Sequence, residues 1–458
     1  MEQPVMMPLD LSNGKSNKTR AELDLIQGFQ ALESDLPGCD RMRQMRAEAM
    51  SSVARAGLPS RRVEEWRYTD LRSQWEKVNP VDPVPPYDPR EIYDDCDLMS
   101  KPLKALQLRL VNGHLASEAR DLILPEGVRL RSLTEVLESG EREILDLLKR
   151  HDFMAEDASF DLNLAFVTGG IVLQVPDGVQ MDQVVTLVHS THGEARMTAT
   201  RSIILLGKGA SLGLVEVVNV ANTGHQTNDI LQVILSDGAK LSHLRHTLED
   251  KSSLTLSSML ASVGDRGKLE SFVFSTPDGF SRRQALVDLY EDSEVRLAGL
   301  DLLKGDAHSD TTAIVRHNSE QSSSQEGFRS ILDGQAKRIF QGKVVVRPGS
   351  QNTSGTMFSN GLLLSGAASM VNKPELEIFA NSVCCSHGAT CGALDEVALF
   401  YMMSRGIPRS QAESLLIKAF ALEIIEDIDE QGLLKTCLEV LRQDITLKVG
   451  DWTKARGS

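Results

Sequence analysis

A chain of 458 residues with 41% hydrophobic content can bury a sizeable core, in two or three domains or in one extended repeat architecture. Its 64 acidic and 49 basic residues leave a formal charge of -15, and no Lys/Arg block stands out, which argues against nucleic acid as a partner. No run reaches the ~18 apolar residues that a spanning helix needs, and the first residues carry no signal-peptide core, so a cytoplasmic chain with no membrane partner is expected.

The N-terminal region, residues 1–100, reads as helical. "TRAELDLIQGFQALESDL" and "DRMRQMRAEAMSSVARAG" are two helices, "SRRVEEWRYTDLRSQW" holds two of the three tryptophans, and "NPVDPVPPYDP" is too rich in proline for a helix or an inner strand and reads as a linker. Residues 101–161 form a mixed segment, with "LKALQLRLVNGHL" as a hairpin and "SLTEVLESGEREILDLLKR" as a helix. Over 162–392 helical periodicity is nearly absent, and short Val/Ile/Leu/Thr-rich runs alternate with Gly, Asp and Ser.

Within that stretch the apolar residue after each turn recurs at Leu212, Leu241, Leu269, Leu297 and Ile339. The first four lie about 28 residues apart, and the last gap is one and a half periods. Each period has room for two strands and two turns, one coil of a two-sheeted β-helix or solenoid; a sandwich with regular hairpins is the alternative. The fold is therefore expected to be mostly β, flanked by helices. Residues 393–458 are the C-terminal helical region: "LDEVALFYMMSRG" stopped by Gly406 and Pro408, then "QAESLLIKAFALEIIEDI" opened by a Ser410/Glu413 capping box, then "LLKTCLEVLRQDITL" and a frayed tail.

Six cysteines, Cys39, Cys96, Cys384, Cys385, Cys391 and Cys437, are too sparse for a disulfide framework and should be thiols. On a strand, residues i and i+2 share a face. Cys385 and His387 can therefore face one side together, a half-site suited to soft or borderline metals including iron, while Cys384 faces the other side. Gly388 allows a turn that could bring Cys391 back. The i, i+3 pairs His189/His192 and His243/His246 should be exposed or turn histidines. No closed zinc site is complete, and no G-x-x-x-x-G-K-[ST] is present, so ATP would have to be handled by a partner. A Cys/His-dependent enzyme or a carbohydrate-active enzyme on a β-helix is the alternative of another class. The helices near 394–405 and 411–428 carry more apolar residues than one buried stripe needs, which marks Phe400 and Leu415 as a partner surface, or else as core.

The stretch "KPELEIFANSVCCSHGATCGALDEVALFYMMSRGI" resembles the C-terminal signature of the SufB/SufD family of iron-sulfur cluster assembly proteins. "RRVEEWRYTDL" resembles the N-terminal signature of its SufD branch, and "DTTAIVRHNSEQSSSQEGFRSIL" fits the family's β core. The resemblance implies a right-handed parallel β-helix and a non-catalytic scaffold that pairs with a SufB-like paralogue and holds a SufC-like ABC ATPase through its C-terminal helices. Phe400, Tyr401, Arg405 and Leu415 would be the ATPase contacts, and the isolated chain could form a homodimer. It further implies that Cys385 and His387, with Cys391 and Cys384 as further thiols, handle iron or a cluster transiently in the complex, with no cofactor held tightly by the chain alone. Asn381-Ser382, Cys384 and Cys391 depart from the family's usual residues.

Overall fold

The computed structural model describes residues 18–85, 88, 105–116, 123–149, 157–219, 224–248, 251–426 and 435–456. Cys96 and part of the proline-rich segment lie outside them. Its body is a solenoid of two sheets. The first sheet holds β1 (Ala105–Val111), β2 (His114–Leu115), β5 (Val184–Ser190), β7 (Ser211–Asn219), β9 (Lys240–Leu248), β11 (Lys268–Thr276), β13 (Glu294–Leu303), β15 (Ser323–Leu332), β17 (Thr353–Leu363) and β19 (Val383–Gly392). The second holds β3 (Arg129–Ser132), β4 (Ile171–Val175), β6 (Met197–Leu206), β8 (Gln226–Leu235), β10 (Leu254–Val263), β12 (Phe280–Leu289), β14 (His308–His317), β16 (Lys337–Val346) and β18 (Ser369–Ile378).

The chain alternates between the sheets, so from β4 onward each strand pairs in parallel with the strand two places later. This is the two-strand coil expected from the repeat. Leu212, Leu241 and Leu269 are successive register partners. The next partner is Val295 rather than Leu297, which lies two residues further along the same inward face. Ile339 sits on the second sheet, as a gap of one and a half coils requires. The turns share one left-handed position, filled by Gly209 and Gly238 and then by Arg266, Asp292, Gln321 and Asn352. At each, the backbone N–H donates to a carbonyl of the following coil, from Gly209 to Asp237 at 2.8 Å through to Asn352 to Ser382 at 2.6 Å. That stacked bond gives the non-glycine residues a return for their strained φ.

The inner faces enclose an apolar core running from Leu106 to Met357. On the outer face of the first sheet, Val215, Leu244, Phe272, Leu300 and Ile331 pack under Ile417, Ala421, Ile424, Leu441 and Ile445. These come from α8 (Arg409–Glu426) and α9 (Lys435–Arg456). Arg329 fastens the seam by donating to the Phe420 carbonyl at 2.9 Å and pairing with Glu423 at 2.6 Å.

At the N-terminal end, α1 (Arg20–Leu32) opens with a Thr19/Glu22 capping box and packs with α2 (Asp40–Ala56). The buried Arg46 guanidinium donates to the carbonyls of Ala165 and Val167 at 2.9 and 2.6 Å, tying α2 to the end of α6 (Ala158–Phe166). Trp66, in a one-turn 3₁₀ helix (Glu64–Trp66), and Trp75, just after α3 (Leu71–Gln74), are both buried. Arg282 lies 3.9 Å over the Trp66 ring, and both Arg282 and Gln341 donate to the Glu65 carbonyl, so this segment straps the second sheet.

Several local expectations are corrected. The segment after β3 forms two helices, α4 (Leu133–Ser139) and α5 (Arg142–Leu147), because Gly140 adopts a left-handed conformation at the end of the first. Residues 162–166 are helical, in α6, whose buried residues lie on every side and so leave no amphipathic period to read. β1 and β3 already belong to the two sheets, ahead of residue 162. Asn79 of the proline-rich segment is bonded to Gln226 and Gly224, and Asp82 to Arg196, so its described residues lie clamped on the solenoid rather than swinging as a linker. Ser410 and Glu413 form no capping box, since α8 starts at Arg409 and Glu413 pairs with Arg409 at 2.9 Å. α9 runs to Arg456, leaving little of the frayed tail. The β1–β2 hairpin is present, turning at Asn112-Gly113 with both φ positive.

Candidate functional site at the open mouth of the solenoid

The two sheets end on β18 and β19, each paired on one side only. Register fixes which side chains face the axis. Cys385 pairs with Gly355, His387 with Met357, and Cys391 with Gly361. Met357 is a core residue at 1% exposure. Cys385, His387 and Cys391 thus occupy the inward positions of a coil that has no coil above it, and His387, a core position one coil earlier, is exposed. Cys384 points outward and is exposed, as the alternation predicts.

β19 runs unbroken through Gly388, so the expected turn is absent. Cys391 is six residues along an extended strand from Cys385, roughly 20 Å away, too far for the two thiols to share one ion. Burial pushes the Cys385 thiol up, and the adjacent Cys384 adds to that rise against a bond from Gly355. Burial also raises the thiol of Cys391. Among the described residues no three His, Cys, Asp or Glu side chains converge to hold a metal. The mouth of a single chain therefore offers donors for only part of a coordination shell.

The second candidate surface is α7 (Glu396–Ser404), capped by Asp395, whose carboxylate accepts from Val397 N at 2.8 Å. Gly406, at φ 86°, ends it. Only Leu399 of this helix is buried. Phe400 is 73% exposed, Tyr401 59% and Leu415 49%, so the reading of Phe400 and Leu415 as core is excluded. Arg405 lies 5.2 Å over the Tyr401 ring, and Arg409 bridges Glu396 to Glu413, fixing α7 against the start of α8.

The paired histidines are corrected in part: His189, His243 and His246 are strand residues of β5 and β9, whereas His192 follows β5 and is exposed, as expected. His189 and His243 face the interior, where their Nε2 atoms each lie 3.0 Å from a different oxygen of Glu216. Arg245 joins Glu216 to Asp229, and Ser271 bonds His243 at 2.8 Å. Burial works to raise the Glu216 carboxyl, but Arg245 and the two histidines outweigh it and hold it well below the usual range. His246 faces outward, stacked on Phe274 and 3.4 Å from Asp444 of α9. This interior polar network was missed because i, i+3 spacing was weighed within one strand, whereas its partners lie on neighbouring coils.

Comparison with known proteins accords with this architecture. The family model for the SUF system FeS cluster assembly SufBD core domain matches residues 188–420, and that for the SufBD protein N-terminal region matches residues 21–187. An iron-sulfur cluster assembly SufBD family protein of Synechocystis is 26% identical over 414 residues, covering 86% of this chain and 89% of that protein. The iron-sulfur cluster assembly protein SufD of Escherichia coli is 25% identical over 403 residues, covering 86% and 91%. SufD of Bacillus subtilis is 25% identical over 335 residues, covering 68% and 73%.

Proposed function

The chain belongs to the SufBD family of iron-sulfur cluster assembly proteins, and on that premise we propose that it is a SufD-like, non-catalytic scaffold subunit. Its open mouth pairs with a SufB-like paralogue, and α7 with the start of α8 holds a SufC-like ABC ATPase. The observation that carries the reading is the pair of uncovered surfaces. β18 and β19 leave backbone edges and inward donors unmatched, and α7 leaves Phe400, Tyr401 and Leu415 in water.

Iron or an iron-sulfur cluster is cargo on this reading, held transiently between Cys385 and His387 and ligands from the paralogue, in a cytoplasmic complex. In the absence of the paralogue, two mouths could meet in a homodimer. A Cys/His enzyme is disfavoured by the thiol itself, since a nucleophilic cysteine needs its thiolate favoured and Cys385 is shifted the other way. Coexpression with SufB-like and SufC-like partners, followed by mass measurement and iron and sulfide analysis, tests the proposal. A chain that stays alone in the presence of both partners would refute it.

A further inference from the structure

Below the mouth, a cavity of about 60 Å³ lies between the two sheets. On the second sheet Ser257, Arg283 and Thr311 are successive register partners, and on the first sheet Arg245, Val273, Gly299 and Phe328 are. All seven line the cavity, together with Met259 and Ala285. Arg283 Nη2 reaches Asp301 and the Thr311 hydroxyl, whereas Nη1 is buried and has no hydrogen-bond partner in the chain. Arg283 as a whole is 9% exposed. Among the described lining side chains the other unmatched polar atom is Arg245 Nε, so both unmet groups are guanidinium donors and neither is an acceptor.

The charges around the cavity are split unevenly. At one end Glu216 and Asp229 share Arg245, and His189 and His243 bond Glu216. At the other end Arg283 and Arg338 share the single carboxylate of Asp301, Arg338 from 2.9 Å. Arg282 and Asp310 are matched one to one on the outer face. Burial pushes the Glu326 carboxyl well above the usual range, so it adds no matching charge. The Arg283 end therefore buries one positive charge more than its carboxylates balance, and a buried charge is tolerated when it is paired.

We propose that this cavity binds a small monovalent anion of the halide or nitrate class, held at Arg283 Nη1. One negative charge matches the surplus. A divalent oxyanion would overshoot it and would meet Glu216 across the cavity. The walls supplied by Met259, Val273 and Phe328 offer nothing to replace a tight hydration shell, so weakly hydrated anions such as bromide lose least on entry. The volume admits an ion of only a few heavy atoms.

The full-length chain is melted at fixed ionic strength while bromide replaces fluoride, whose hydration shell keeps it out. The melting temperature should rise with bromide and level off, as binding to a site in the folded state requires. Crystals grown in bromide should show an anomalous-scattering peak beside Arg283 Nη1. Arg283→Gln removes the surplus charge and leaves Asp301 its pair with Arg338, so the bromide response should vanish. Ala285→Val keeps every charge and adds two carbons to the cavity wall, and it should lose the response as well. A melting temperature that follows ionic strength alone, a response retained by either variant, or anomalous peaks confined to the surface would each overturn the assignment. The site uses neither Cys385 nor His387, so these results stand apart from the coexpression test of partner binding.

Discussion

His387 on β19 is the register partner of Met357 on β17, and the two share the inward face of successive coils although one is exposed and the other buried. An imidazole in that place contributes little to the core. His387→Ala is therefore expected to shift stability by no more than about 0.5 kcal/mol, the usual range for surface substitutions. The same change should leave the complex assembled and sharply reduce cluster formation, because one of few soft donors is lost. Cys384→Ala, on the outward face, should have the milder effect. Anaerobic reconstitution of both variants, scored by visible absorbance and complex mass, decides the matter. Wild-type cluster yield with His387→Ala would return β19 to a purely structural role.

Phe400→Asp and Leu415→Asp should release the ATPase without loosening the solenoid, since both side chains already stand in water. Leu399→Asp is the internal contrast. Its side chain is 1% exposed, so a charge there should cost several kcal/mol and unseat α7. Circular dichroism and copurification with the ATPase, measured together, separate loss of a contact from loss of a fold. A Phe400→Asp chain that still brings down wild-type amounts of ATPase would move the docking face elsewhere.

The two-sheeted coil was legible in the sequence because the turn and the apolar residue after it recur together, and stacking demands both. Leu297 misled by two residues because it shares a face with the true partner, Val295, and a shift of two leaves the hydrophobic pattern unchanged. α6 was invisible for the opposite reason, being apolar and buried on all sides. The alternation of β19 placed Cys384, Cys385 and His387 correctly on their faces.

Glu216 is the hub of the interior network, bonded to His189, His243 and Arg245. Glu216→Leu would leave Arg245 paired with Asp229 and deprive the buried His243 and the half-buried His189 of that acceptor, a loss of about 3–5 kcal/mol by analogy with other broken buried pairs. Its carboxyl is held below its unfolded value, so its contribution is present above about pH 4.3 and is lost as pH falls through the folded value. Urea unfolding of wild type and variant should therefore differ most at neutral pH and converge in acid. A difference that does not depend on pH would mean that the cost is one of packing alone.

Glu326 has the opposite sign. It faces the axis between Leu297 and Met357, fully buried, and burial pushes its carboxyl well above the usual range despite a bond from Ser324. A carboxyl raised in the folded state stabilises below its unfolded value of about 4.3, and that stability drains as pH rises toward the folded value, by up to about 1.4 kcal/mol per pH unit. Glutamine has nearly the same shape and cannot ionise. Glu326→Gln should therefore match or fall slightly below wild type near pH 4, and overtake it increasingly between pH 5 and 7. Single-pH-unit steps of urea unfolding resolve a slope of that size. A variant that loses stability equally at every pH would show that the Glu326 carboxylate is ionised in the folded protein and is stabilised by groups that the apolar column around it does not supply.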